Sequence, residues 1–133
     1  MPDVDRRELA AIFAGGAGGA LARAGIAELF PASPDCWPWA VFAINISGAF
    51  LLGYFVTQLQ ERLPLSTYRR PFIGTGFCGA YTTFSTVQLE LLNMVRAHDY
   101  GLAAGYAGAS VALGYLAFFT ATALVRRTKG FTA

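Results

Sequence analysis

Thirteen consecutive residues, Gly74 to Thr86, read GTGFCGAYTTFST and place three glycines and five Ser/Thr hydroxyls within an uncharged run from Pro71 to Leu89. Gly74, Gly76 and Gly79 lower helical propensity, and Thr82, Thr83, Ser85 and Thr86 compete for backbone groups, so a helix is interrupted here at low cost. The chemistry such a break offers is ion binding. Freed carbonyls suit a hard cation, whereas hydroxyls, amide N–H groups and aromatic edges suit an anion. Phe84 stands among the hydroxyls, and its ring edge carries partial positive charge without offering a lone pair. The plainer alternative is an ordinary helical turn whose hydroxyls bond back to carbonyls; it accounts for one or two of the five Ser/Thr residues.

Three further polar residues fall within apolar sequence. Asn45 lies in AVFAINISGAFLLGYF, either as an interhelical hydrogen bond or as an amide donor aimed at an anion. Arg23 either snorkels toward an interface or lines an electropositive vestibule. Glu90 reads as interfacial, and no second carboxylate is placed to form an acid/base pair with it. The single His98 has no partner cluster, while Cys36 and Cys78 suit neither a disulfide framework nor a metal site. Nothing in these residue types builds an enzyme active site. Tyr54 and Tyr81 read as packing or interfacial aromatics.

The elements that must position these residues are membrane helices. The chain of 133 residues is 55% hydrophobic and 14% charged, against about 25% charged in a soluble domain. A net charge of +2 without a single basic patch does not suit nucleic-acid binding. Apolar runs of bilayer-spanning length recur over about residues 9–30, interrupted by Arg23 and Glu28, 37–60, 71–95, uncharged as far as Leu89, and 100–125. The expected fold is an all-α integral membrane protein with one domain of four transmembrane helices over residues 1–133, the third broken mid-membrane. The acidic N-terminal stretch MPDVDRRE does not suit a signal peptide, so the first span is expected to stay in the mature protein. Short connections carry the turn residues of PASPD, then Pro64 and Ser66, then His98 and Asp99.

Small residues mark close helix approach: AGGAGGA at Ala14 to Ala20, with Gly15 and Gly19 four apart, and Gly101, Gly105 and Ala109 on the last span. Arg6, Arg7, Arg62, Arg69, Arg70, Arg126, Arg127 and Lys129 fall on one side of a four-span topology, and only Arg96 and Arg23 on the other. That bias predicts both termini in the cytoplasm. From these features alone the chain reads as a small helical dimer that conducts or transports an ion, and the ion is left open.

GTGFCGAYTTFST, the NISGAFLLGYF segment containing Asn45, and GGALARAG of the first span together resemble the small CrcB/Fluc fluoride channel family, over essentially the whole chain. The resemblance implies a passive fluoride channel in a bacterial or archaeal plasma membrane, built as an antiparallel, dual-topology dimer with two pores. It also implies a structural sodium ion held at the dimer centre by backbone carbonyls. Position by position it implies that Asn45 and Phe84 line the pore, that Ser85 and Thr86 supply hydroxyls, and that Tyr106 and Ser110 continue a polar track. Tyr106 and Ser110 are four residues apart and so share a helical face. Gly79 and Thr82 match the carbonyls that hold sodium, and Arg23 matches the vestibule arginine.

Two features depart from that pattern. Val87 stands where the family typically has a second phenylalanine, and it has no quadrupolar edge. The Arg/Lys bias opposes two-way insertion of one sequence, so the expected partner is either a second copy or an oppositely oriented paralogue, within membrane lipid. The competing function is a small four-span multidrug or proton-coupled exporter. That activity needs an intramembrane carboxylate, for which Glu90 and Glu28 are the candidates.

Overall fold

A computed structural model describes residues 5–33, 36–61 and 68–128, and in these the chain forms helices and no strand. Arg62, Lys129, Pro64, Ser66, Pro34 and Asp35, all used in the sequence reading, lie outside the described residues. Helix α1 spans Arg6–Leu29 and α2 spans Trp39–Glu61. A π-helical stretch, Pro71–Cys78, runs directly into α3, Gly79–Tyr81. The chain then leaves helical geometry at Thr82, with φ −76° and ψ 153°, and resumes in α4, Ser85–Arg96. Helix α5, Tyr100–Arg127, completes the bundle. Three of these helices, α1, α2 and α5, are long and apolar enough to cross a membrane. The third segment covers a similar length only as two half-helices separated by the break.

Local chemistry accounts for these boundaries. The Asp5 side chain accepts the Arg7 N–H at 2.9 Å and caps α1, with Glu8 favourably placed in the first turn. Pro71 opens the π-helical stretch, where its missing N–H costs nothing. Turns of the π type are rare and recur where helices serve a site. Between α4 and α5 the chain reverses through His98 at φ 60°, and Asp99 then accepts the Leu102 N–H at 3.0 Å to cap α5.

Helix α1 backs the first half of the broken helix at backbone contact. A Cβ on Gly15 would collide with the Phe72 carbonyl oxygen, and one on Gly19 with that of Phe77. The four-residue glycine spacing thus forms a flat ridge that fits the π-helical stretch. On the opposite side α2 pairs with α5, where Gly53 approaches the Phe118 backbone and Thr57 meets Thr122 at 3.4 Å. An apolar core of Val41, Val87, Met94, Ala103 and Tyr106 joins α2, α4 and α5. Many large apolar residues, Phe13, Leu21, Phe84, Val111 and Tyr115 among them, remain exposed on the protomer, as suits a protein that meets lipid or a partner.

Candidate functional site

The break is held open by a side chain from another helix. Asn45, on α2, accepts the Thr83 N–H at Oδ1 and donates from Nδ2 to the Thr83 carbonyl, both at 2.9 Å. The carboxamide acts as a substitute peptide unit and satisfies both backbone groups of a residue that has left the helix, which would be costly to leave unpaired when buried. Asn45 retains one N–H beyond this pair.

Thr83, to which sequence reasoning assigned no separate task, is the hub of the hydroxyl cluster. It is buried, and its Oγ1 lies 3.0 Å from Thr86 Oγ1 and 3.3 Å from Ser85 Oγ, while accepting the Thr86 N–H at 3.3 Å. Its only sequence signal was membership in the Ser/Thr run. The Thr82 hydroxyl donates back to the Cys78 carbonyl at 2.9 Å. Tyr81 Oη and Ser47 Oγ meet at 2.9 Å, which ties α3 to α2 on the far side of the break.

Two carbonyls at the break lose their usual donors. In a continuous helix the Thr83 N–H would serve the Gly79 carbonyl, but it goes to Asn45; the Thr86 N–H would serve Thr82, but it goes to Thr83 Oγ1. Uncharged oxygens of this kind suit a hard cation such as sodium.

An open groove of about 600 Å³ runs beside the break between α2, α4 and α5. Asn45, Gly79, Thr82, Phe84 and Ser110 all line it. Phe84 is 76% exposed, so its ring stands free at the groove rather than packed in the protomer. Ser110 Oγ is buried and has no hydrogen-bond partner among the described residues. Among the described residues no carboxylate lines the groove. Ser85 and Thr86 are tied to Thr83 and do not line it, and neither does Tyr106. Arg23 is half-buried on α1, a helix that contributes no residue to the groove wall. Val87 is both a core residue and a lining residue, presenting aliphatic surface next to Phe84.

Tyr106 instead points to Glu90. The fully buried phenol donates to Glu90 Oε2 at 2.5 Å, and Trp37 stands perpendicular to the Tyr106 ring at 5.4 Å. Glu90 lines a separate cavity of about 250 Å³ with Ser33, Cys36, Asn93 and Met94. Sequence reading placed Glu90 at an interface, with a task only in the exporter alternative; its partner is 16 residues away, and packing of α4 on α5 brings the two together.

Comparisons with known proteins agree over nearly the whole chain. The family profile described as "CrcB-like protein, Camphor Resistance (CrcB)" matches residues 10–122. A protein of Mycolicibacterium paratuberculosis named "Fluoride-specific ion channel FluC 1" is 59% identical, covering 97% of this chain and 98% of its own. One of the same name from Mycobacterium tuberculosis is 57% identical over the same shares. "Fluoride-specific ion channel FluC" of Acidobacterium capsulatum is 44% identical, covering 77% of this chain and 83% of its own. Spanning 113 of 133 residues in the profile and nearly all of two such relatives, the chain belongs to the CrcB family.

Proposed function

We propose that this chain is a passive, fluoride-selective ion channel that releases cytoplasmic fluoride across a bacterial or archaeal plasma membrane. The observation that carries the reading is the Asn45–Thr83 pair, which keeps a membrane helix broken beside a groove that no carboxylate among the described residues lines. The ion is supported by relatives at 57–59% identity whose names specify fluoride.

Fluoride is strongly hydrated, so a path must replace its water with several donors and hold it weakly enough at each to let it leave. The spare N–H of Asn45, the ring edge of Phe84 and the unpaired hydroxyl of Ser110 are suited to that task. Ser85 and Thr86 act through the Thr83 hub and keep the break in shape. Tyr106, whose hydroxyl is committed to Glu90 away from the groove, acts by packing α4 on α5 behind the path, and Arg23 raises local anion concentration at its mouth. A proton-coupled exporter would need a carboxylate in the groove, whereas Glu90 lies in the separate cavity.

The functional unit is an antiparallel dimer, with a second copy or an oppositely biased paralogue covering the groove. Support comes from the free-standing Phe84 and the exposed Gly79. The Gly79 and Thr82 carbonyls are the oxygens that would hold a sodium ion, which would supply fixed positive charge beside the groove.

Fluoride-electrode recording of efflux from proteoliposomes, with valinomycin carrying compensating potassium and no pH gradient, tests the reading. Rapid efflux that excludes chloride is expected. Absence of efflux both alone and with the paralogue would overturn it.

A further inference from the structure

Two polar side chains of the groove, Ser110 and Gln88, are employed by neither the break nor the hydroxyl cluster, and of these the Ser110 hydroxyl is buried within the protomer. Gln88 lies on α4 four residues after Phe84, a spacing that puts both on one helical face, and both line the groove. It is exposed on the protomer, and its carboxamide makes no hydrogen bond to another described residue. Its neighbours are in a different condition. The Ser85 and Thr86 hydroxyls are engaged with Thr83, the Thr82 hydroxyl with Cys78, and Asn45 has committed its oxygen and one N–H to the break. Gln88 therefore brings two uncommitted N–H donors to a wall that is otherwise aliphatic at Val87.

We propose that Gln88 donates to the permeating anion one helical turn beyond Phe84 and is a specificity-determining residue of the path. The inference rests on the groove being the fluoride path. An aliphatic wall favours large, weakly hydrated anions because it offers nothing in exchange for water. A primary amide offers short N–H donors whose value rises with the charge density of the ion, so it favours fluoride over chloride. Val87 and Gln88 thus do different work on adjacent positions: Val87 fills the core and the amide faces the ion.

The test compares the full-length protein with Gln88→Met, Gln88→Asn and Gln88→Glu in proteoliposomes, reading fluoride and chloride efflux per reconstituted protein. The side chain is exposed and unpartnered in the protomer, and gel filtration checks that each variant elutes as the wild type does. Methionine keeps the length and removes the donors; fluoride efflux is expected to fall about tenfold, the scale of one lost hydrogen bond to a charged group, with chloride discrimination reduced. Asparagine keeps the donors and is expected to stay within about threefold of wild type, while glutamate, which presents a negative charge, is expected to lower efflux by about 100-fold or more. Methionine at the wild-type rate, or methionine and asparagine falling equally, would overturn the proposal, since either result assigns Gln88 to packing. Wild-type protein silent with and without its paralogue would strike the fluoride reading itself and this inference with it.

Discussion

The two sides of the broken third helix are finished in opposite ways. Toward α1 it is sealed backbone to backbone, with Gly15 and Gly19 leaving no space for a Cβ. Toward the groove that it shares with α2 and α5 it stands open, and α2 reaches the break at Gly48, close against Thr82, and through the carboxamide of Asn45, which bonds Thr83. The difference teaches how a helix can be interrupted in an apolar setting without collapsing. A rigid backing fixes the position of the first half, and one well-placed side chain replaces the hydrogen bonds lost at the interruption. The open side is then free to present donors to an ion.

The comparison breaks most completely at Asn45. In Asn45→Asp the donor to the Thr83 carbonyl is lost and an anion faces the groove, so fluoride efflux is expected to fall by about 100-fold or more. Efflux at the wild-type rate would remove Asn45 from the path. On the sealed side, Gly19→Val drives a branched side chain into the Phe77 carbonyl. The expected cost is about 3 kcal/mol or more, read as a lower unfolding midpoint in detergent and poor recovery of folded protein. Unchanged stability would show that α1 can move away from the π-helical stretch.

Sodium withdrawal probes the carbonyls between the two sides. Exchange of sodium for a large organic cation is expected to lower stability by about 2 to 3 kcal/mol, if sodium is held at about 100 times its dissociation constant. A midpoint that does not respond to the cation would separate Gly79 and Thr82 from any sodium site. The smallest effect belongs to Tyr81→Phe, which removes the bond to Ser47 on the far side of the groove. About 1 kcal/mol of stability should be lost, with efflux within about twofold of wild type because Tyr81 does not line the groove. A large loss of efflux in that variant would mean that the two sides are coupled through α3.

Much of the architecture was legible before the structure. Runs without charge over residues 37–60 and 100–125 correspond to α2, Trp39–Glu61, and α5, Tyr100–Arg127, because length and hydropathy are local properties. The interruption also followed from local propensity, since glycines and hydroxyls cluster where the helix fails. Its position within the run did not: the glycines at 74 and 76 lie inside a continuous π-helical stretch, and the chain departs only at Thr82. Asn45, Phe84 and Ser110 meet at one groove, while Ser85 and Thr86 turn to Thr83. Neither Thr83 nor Gln88 stood out in sequence, because a hydroxyl in a hydroxyl run and an amide in an amphipathic turn carry no mark of their partners.

The sequence by itself determined the helical segments, the weak point in the third one and the glycine ridge on the first, all of them consequences of side-chain volume, hydropathy and backbone propensity acting over a few residues. Tertiary structure decided which polar groups would be spent on holding the fold and which left free. Asn45 and Thr83 are 38 residues apart, and Glu90 and Tyr106 are 16 apart, so packing alone commits these groups to one another. A donor already committed has less to give an ion, and that division depends on where the helices meet.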